Sequence, residues 1–323
     1  MQSLWEGLRG LPPFAQPYVR YTKRLSQFVY DLSRMMTLAD VADATGLSWD
    51  TAKDMVRPFL QKTVEDLRCR DLKHLAIDEI YVGRKKKFYT LVIDLDSGRI
   101  VWVAHGRGGD CLRKFWRRLR LAKAKIVAVA MDMSAAYWKA VRDNLPAAAV
   151  VFDKFHIVKL VNEKLDELRR ELVRQAEGIL KTSIKGLRYL LLTRRHRLSE
   201  DKMQTLDTAL KFNQPLFTAY YLKEELLLLW EQPTKNAMRD FLKSWCHRAA
   251  ETGLSVFHSL SKTLLSHRSG ILSWFTHRIN SGRMEGINNK IRTLTRSAYG
   301  YRDEGFFFLK LYNLHRSRQE LVG

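Results

Sequence analysis

The stretch that decides the fold is Leu75-Ala-Ile-Asp-Glu-Ile-Tyr-Val82, an apolar run that contains two acids. Its pattern predicts a β-strand. Two more strand patterns follow, Lys87-Phe-Tyr-Thr-Leu-Val-Ile-Asp94 and Arg99-Ile-Val-Trp-Val-Ala104, with a turn at Asp96-Ser-Gly98 between them. Together the three predict an antiparallel meander.

Helices and strands alternate after this meander. The patterns are a basic helix near residues 111–121, a strand at 125–131, a helix at 134–144 and a strand at 147–152. The order βββαβαβ predicts an α/β fold with helices packed on a mixed sheet. After residue 152 the pattern is helical. We therefore predict a core formed by residues 71–160 and 281–323, interrupted by an all-helical insertion at residues 161–280.

The N-terminal region, residues 1–70, has a helical pattern, and residues 37–57 within it have the layout of a helix-turn-helix. Thr37 and Ser48 are placed to cap two short helices, and Gly46 is placed in the turn between them. An ordinary helical hairpin is the alternative, but the basic composition favours DNA contact. The candidate DNA-contacting residues of the second helix are Trp49, Thr51, Lys53 and Arg57.

The composition is strongly basic. The chain of 323 residues carries 56 Lys and Arg against 34 Asp and Glu, a formal charge of +22, so its natural partner is a polyanion such as nucleic acid. The cysteines Cys69, Cys111 and Cys246 lie far apart, which argues against a disulfide framework and a local zinc knuckle. With no signal-peptide layout and no long apolar run, we expect a soluble, cytoplasmic protein.

Two predicted strands each deliver one acid. Asp78 interrupts the first strand, and Asp132 directly follows the strand at residues 125–131. If these strands are neighbours, the two carboxylates can share divalent cations, because Mg²⁺ prefers hard oxygen ligands. Asp132 can instead cap the next helix, and Asp153, which also follows a strand, is a rival to it.

A third group of polar residues lies beyond the helical block, in Asn280-Ser-Gly-Arg-Met-Glu-Gly-Ile-Asn-Asn-Lys-Ile-Arg292. A helix there brings Glu285, Asn288, Asn289 and Arg292 roughly to one side, since three and four residues make one turn. Such a side offers one acid, two amides and a cation. Surface helices often have a similar pattern. The motif therefore indicates a functional site only in combination with the two acids of the preceding strands.

These residues resemble the DDE insertion-sequence transposases of the ISL3 family. The resemblance lies in five blocks in the same order, namely Ala76-Ile-Asp-Glu79, Met131-Asp-Met-Ser134, Phe152-Asp-Lys-Phe-His-Ile-Val-Lys159, Asn280-Ser-Gly-Arg-Met-Glu-Gly-Ile-Asn-Asn-Lys-Ile291 and Ala298-Tyr-Gly-Tyr-Arg302. It implies a ribonuclease-H-like sheet with a catalytic, metal-binding triad of Asp78, Asp132 and Glu285. Members usually begin with a cysteine-rich zinc segment, and nothing like it precedes the helix-turn-helix here.

The implied reaction is metal-dependent DNA strand cleavage and strand transfer at the ends of an insertion sequence. Two Mg²⁺ ions, with Mn²⁺ as a substitute, would serve as cofactor. Double-stranded DNA and a second copy of the chain are the implied partners, and the bacterial nucleoid is the implied location. Lys85, Lys86, Asn289, Lys290 and Arg292 complete the set of expected DNA contacts.

Other functions fit the sequence less well. A tyrosine recombinase needs a tyrosine after its H-x-x-R motif, and only Gln319-Glu-Leu-Val-Gly323 follows the one at His315-Arg-Ser-Arg318. His105-Gly-Arg-Gly-Gly-Asp110 lacks the Gly-Lys-Ser/Thr of a P-loop. The remaining alternative is a catalytically inactive, transposase-derived DNA-binding regulator.

Overall fold

The computed structural model describes residues 20–82, 87–279 and 282–314. Its five strands are β1 (His74–Val82), β2 (Lys87–Asp94), β3 (Ile100–His105), β4 (Ala128–Met131) and β5 (Ala149–Phe152). They form one sheet in the order β3-β2-β1-β4-β5. β2 pairs antiparallel with β3, whereas β4 pairs parallel with both β1 and β5. The mixed sheet expected from the sequence is confirmed.

The helices alternate with these strands as predicted and then follow one another without a strand. Before β4 they are α1 (Lys23–Leu32), α2 (Leu38–Thr45), α3 (Trp49–Glu65) and α4 (Arg113–Leu121). Next come α5 (Ala135–Asn144), α6 (Lys154–Gln175), α7 (Gly178–Gly186), α8 (Arg188–Leu192), α9 (Glu200–Lys211), α10 (Gln214–Leu226), α11 (Lys235–Glu251), α12 (Ser255–Ser266) and α13 (Arg268–His277). The chain continues with α14 (Gly282–Ser297) and α15 (Glu304–Tyr312). Within the described ranges, no helix has the length and apolar character needed to cross a membrane.

Contacts divide the described residues into two compact units. The first unit comprises residues 20–73, 78–82, 87–125 and 282–314, and the second comprises 74–77 and 126–279. This division differs from the predicted one, since the N-terminal helices group with the meander, while β4 and β5 group with the helical block. The predicted domain boundaries at residues 71, 161 and 281 therefore stay a prediction.

The helix-turn-helix forms with the predicted caps. Thr37 forms a reciprocal capping box with Asp40, Gly46 has a φ of 67°, and the Ser48 side chain accepts a hydrogen bond from the Thr51 N–H. One detail differs, because α3 continues past Arg57 to Glu65. The extra turns bury Leu60 and Thr63, so they have a packing role of their own.

Helix α15 joins the helix-turn-helix to the sheet within the first unit. On one side Phe306 belongs to the apolar cluster of α1, α2 and α3 that includes Val41 and Met55. On the other side Phe307 packs edge-on against Tyr89 of β2, and the Tyr312 hydroxyl accepts a hydrogen bond from the β3 backbone at 3.0 Å. The helix-turn-helix is therefore part of a packed unit rather than a tethered module.

The second unit has a tight contact between α13 and β5. A Cβ atom added to Gly270 would overlap the Phe152 ring, whereas one added to Gly286 of α14 meets open space. We expect Gly270→Ala to lower the free energy of unfolding by about 1–3 kcal/mol, the usual effect of overpacking. Gly286→Ala is the matched control and should raise it by up to about 1 kcal/mol, because alanine favours helix. Urea unfolding of both variants checks this, and equal effects would contradict the close packing.

Candidate active site

Asp78 lies on β1 and accepts hydrogen bonds from two residues of the first unit. Its Oδ1 accepts a hydrogen bond from the Glu79 N–H at 2.8 Å, and its Oδ2 accepts one from Nδ2 of Asn288 at 2.8 Å. The side chain is half-buried. An acid on an otherwise apolar strand thus has its two oxygens oriented by donors from β1 and from α14.

Helix α14 is fixed at its start by Arg283. This guanidinium donates to the carbonyl oxygens of Leu95 and Asp96, in the turn between β2 and β3. The apolar side chains of Met284, Ile287 and Ile291 are buried at helical spacing, which anchors one side of the helix. Arg283 is a positioning residue that the sequence reasoning did not single out.

Glu285 stands in the first turn of α14 and is exposed. It precedes Asn288 by three residues, so the two side chains are neighbours on the helix surface, with Cβ atoms about 5–6 Å apart. Because Asn288 bonds to Asp78, α14 carries Glu285 to within about one helical turn of a residue that contacts the strand acid. Both acids belong to the first unit.

Asn288 has an amide oxygen without a hydrogen-bond partner. The residue is 8% exposed, and its Oδ1 is buried with no partner. The orientation of the amide follows from chemistry, since only the NH₂ group can donate to the Asp78 carboxylate. The unpaired oxygen is a hard ligand of the kind that Mg²⁺ prefers. The sequence placed Asn288 beside Glu285 but did not reveal its bond to Asp78.

Asp132 follows β4 in the second unit. Its Oδ1 accepts a hydrogen bond from the Ser134 N–H at 3.0 Å, and Ser134, not Asp132, is the N-cap residue of α5. The register of β1 against β4 pairs Ala76 with Ala130. The hydrogen bond from Ser134 thus orients Asp132 at the carboxyl end of β4. Asp132 is not the helix cap, which was the alternative role that the sequence allowed.

Asp153 follows β5, next to β4 in the second unit. It is the N-cap residue of α6, is 2% exposed, and its Oδ2 lies 3.2 Å from Nδ1 of His156. Its backbone N–H donates to the Met131 carbonyl oxygen at 3.1 Å. Asp153 is thus a buried partner of His156, a different setting from that of the half-buried Asp132.

The structure places two of the three predicted acids, Asp78 and Glu285, in the same unit. Asp78 and the helix that carries Glu285 meet through Asn288 in the first unit, while Asp132 belongs to the second. Among residues 20–82, 87–279 and 282–314, no three His, Cys, Asp or Glu side chains are already gathered in a metal-binding arrangement.

The expected DNA-contacting residues have different surroundings. Trp49 is 45% exposed at the start of α3, and Thr51 bonds to the Ser48 hydroxyl at 2.8 Å. On α14, Asn289, Lys290 and Arg292 are exposed. Lys85 and Lys86 lie outside the described residues. The DNA contacts of all these residues stay predictions.

Lys53 and Arg57 are held by an acid that the sequence did not predict as their partner. Each places a nitrogen 2.8 Å from Oδ2 of Asp303, whose Oδ1 also accepts the Phe306 N–H and so caps α15. The hydrogen bond from Lys53 is the largest of several effects that lower the pKa of Asp303 below its ordinary value of 3.8. Two of the predicted DNA contacts therefore also join the helix-turn-helix to α15.

We expect Asp303→Asn to keep the cap but lose the ion pairs, because asparagine caps helices as well as aspartate does. Unfolding in urea at pH 7 should show a loss of about 1 kcal/mol or less, as for other partly exposed ion pairs. Asp303→Ala should lose about 1 kcal/mol more, since it also removes the cap. Equal stability of the two variants would mean that the cap contributes nothing.

Comparison of the wild-type protein with Asp303→Asn also tests how the contribution of Asp303 to stability depends on pH. Because the pKa of Asp303 is lower in the folded state than its ordinary 3.8, its charge stabilises the fold above about that pH. This contribution is lost as the pH falls below it and the carboxylate takes up a proton. The stability difference between the wild-type protein and Asp303→Asn should therefore shrink on acidification below pH 3.8, as measured by urea unfolding.

Comparison with known proteins decides the family. The family model for ISL3-type DDE proteins, described as "Transposase", matches residues 75–311. The chain belongs to the ISL3 transposase family. A second model, described as "Helix-turn-helix domain of transposase family ISL3", matches residues 11–59 of this ISL3 transposase family member. The resemblance inferred from the sequence blocks is confirmed.

Individual relatives of the chain are transposases as well. The chain is 33% identical over 298 residues to the transposase for insertion sequence element IS1001 of Bordetella parapertussis, covering 91% of this chain and 73% of that one. It is 29% identical to the transposase for IS1557 of Mycobacterium tuberculosis, with coverage of 96% and 76%. Among solved structures, the Drosophila P element transposase strand transfer complex aligns with a TM-score of 0.49 and 11% identity over 93% of each chain.

Proposed function

We propose that this transposase cuts DNA at the ends of an insertion sequence and transfers the freed strand, using Asp78, Asp132 and Glu285 as a metal-binding triad. The observation that carries the proposal is the 2.8 Å hydrogen bond from Asn288 to Asp78. It links residues 210 positions apart and sets the helix of Glu285 against the strand of Asp78.

Asp132 is proposed as the third acid from the sheet register. Asp78 stands two residues after Ala76, and Asp132 stands two residues after Ala130, the residue paired with Ala76. Asp132 directly follows Met131, the last residue of β4, so it lies at the carboxyl end of a strand that pairs parallel with β1. Asp153, the rival, is engaged with His156.

The residues fit divalent metal by the chemistry of their donors. The three carboxylates and the unpaired Oδ1 of Asn288 are all hard oxygen ligands, and Asn288 is buried. Asp78, Asp132 and Glu285 would hold the metal, with Mg²⁺ as the proposed ion. When bound, divalent metal stabilises negative charge on a phosphoryl oxygen and makes a bound water more acidic.

The chain's own groups then supply position and charge. An oxygen of water attacks the phosphorus at the element end, and the bond to the 3′ oxygen breaks to leave a free 3′-hydroxyl. That hydroxyl attacks a target phosphodiester, forming one P–O bond while another breaks and releases a target 3′-hydroxyl. The attacking groups come from water and DNA, so the protein holds the reactants in line rather than forming a covalent intermediate.

The active form is proposed to be a homodimer, because two DNA ends must be joined in one complex. The expected location of the protein is the bacterial nucleoid. A transposase-derived regulator is not favoured, since the family model and the curated relatives are transposases. A transposase and a regulator differ in whether they cleave the DNA that they bind. A regulator binds the element ends and leaves them intact.

The proposal is tested with a supercoiled plasmid that carries the complete element surrounding this gene. Purified protein with Mg²⁺ should nick or cut at the element ends, and EDTA should stop the reaction while leaving DNA binding measurable. A plasmid with scrambled ends is the control. Binding at the ends without any Mg²⁺- or Mn²⁺-dependent cleavage would overturn the proposal and support the regulator.

A further inference from the structure

Helix α4 has a strongly basic exposed face in the first unit. Its apolar side chains Phe115, Trp116 and Leu119 are buried, which turns the charged residues outward. The exposed cations of the helix and of the segment that follows it are Arg113, Lys114, Arg117, Arg120, Lys123 and Lys125. We call these six residues the α4 basic face. None of them is among the DNA contacts predicted from the sequence.

The α4 basic face is held on a rigid support. The Arg118 guanidinium points away from it and donates to the carbonyl oxygens of Val64 at 3.4 Å and Leu67 at 3.3 Å, at the end of α3. On the other side, Trp102 of β3 donates to the Cys111 carbonyl oxygen at 3.2 Å and packs against the Phe115 ring. Because the helix is fixed to both α3 and β3, little ordering is required when its cations meet a ligand.

The charge pattern is not that of an ordinary solvated helix. Such helices mix acids and bases at a spacing of three or four residues, whereas residues 111–131 contain no acid. Asp110 lies 3.0 Å from Arg113, but both side chains are more than 80% exposed, so this ion pair contributes little. The acids at the end of α3, Glu65 and Asp66, are exposed, and they leave the face with a large excess of positive charge.

An extended polyanion matches this geometry. From Arg113 to Arg120 the helix rises roughly 10 Å, which equals the rise of about three phosphates along one DNA strand. The face offers guanidinium and ammonium groups, the usual donors to phosphate oxygens, and residues 111–131 contain no Asn, Gln, Asp or Glu, the side chains that read adenine and cytosine.

We propose that the α4 basic face binds the phosphate backbone of duplex DNA without reading its sequence, as a second DNA site beside the helix-turn-helix. The inference rests on the proposed function, which supplies DNA as substrate. It adds a sequence-independent surface that the comparisons do not assign. Such a surface suits target or flanking DNA, which a transposase must hold without a fixed sequence.

The test measures binding of a random-sequence duplex as a function of salt, in EDTA so that no cleavage is required. Lys114→Gln with Arg117→Gln removes two cations from the face. The matched control, Lys181→Gln with Lys185→Gln, removes two exposed cations from α7 in the second unit. The slope of log Kobs against log salt should fall in magnitude by up to about 1.8 for the α4 variant, at about 0.9 for each phosphate that the variant no longer neutralises.

Three outcomes are informative. A smaller slope for the α4 variant, with the control near wild type, supports the proposal. Equal decreases in both variants would show that only net charge matters and would overturn it. An unchanged slope with altered sedimentation of the free protein would also overturn it and assign the face to a second copy of the chain. Failure of the wild-type protein to cleave the plasmid would contradict the proposed function. The salt dependence of DNA binding, measured in EDTA, could still be interpreted.

Discussion

Replacing Asp78 with asparagine is expected to abolish cleavage of the element ends while leaving DNA binding largely intact. The change removes one negative charge and one carboxylate ligand but keeps the shape of the side chain. The amide oxygen can still accept a hydrogen bond from the Glu79 N–H or from Asn288, so the local structure should persist. Loss of a metal ligand removes several kcal/mol of transition-state stabilisation, a rate decrease on the order of 10³-fold or more.

The measurement is the single-turnover rate on the plasmid that carries the element, together with the dissociation constant for an element-end duplex. Asp143→Asn is the matched control, because Asp143 is an exposed acid on α5. It should change neither quantity. If Asp78→Asn cuts as fast as the wild-type protein, Asp78 holds no catalytic metal and the triad is wrong. If it fails to bind DNA, the residue has a role in binding or folding instead.

The sheet and the helix-turn-helix could be predicted because their signals are local. Thr37 and Ser48 cap helices within three residues of themselves, and the apolar run within Lys87–Asp94 indicates a strand without reference to distant residues. The boundaries were less accurate. β4 starts at Ala128 rather than at residue 125, although the Val127 carbonyl oxygen still accepts a hydrogen bond from the Ala149 N–H at 2.9 Å.

The pairings that hold the candidate site together could not be predicted. Asn288 meets Asp78 across 210 positions, and Arg57 meets Asp303 across 246. Such contacts depend on how the elements pack, and any basic chain offers many alternative partners for one acid. The sequence therefore indicated Lys53 and Arg57 as DNA contacts but carried no signal of the acid that holds them.

Asn288→Leu is expected to lower the rate of cleavage by about 10- to 100-fold, the usual effect of removing a group that orients a metal ligand. Leucine has a similar size but cannot donate to Asp78, so this carboxylate loses an orienting hydrogen bond. The protein should nevertheless unfold at an equal or higher urea concentration. The variant also removes a buried oxygen that has no partner, and such a group destabilises the fold.

Asn289→Leu is the control for this prediction, because Asn289 is the exposed neighbour that bonds to Arg292 on the same helix. It should cut close to the wild-type rate under the saturating DNA concentrations that hide a binding defect. Unchanged cleavage by Asn288→Leu would show that Asn288 does not orient the active site. A large loss of stability would show instead that its role is structural.

Asn288→Asp separates orientation from simple packing. It places a second carboxylate within hydrogen-bond distance of Asp78, and two like charges so close favour a shared proton. The pKa of the pair therefore rises, and the acidic limb of the rate–pH profile should move to higher pH, with a higher Mg²⁺ concentration needed at low pH. A packing defect lowers the rate equally at all pH values. An unshifted rate–pH profile would therefore argue against a contact between residue 288 and a catalytic Asp78.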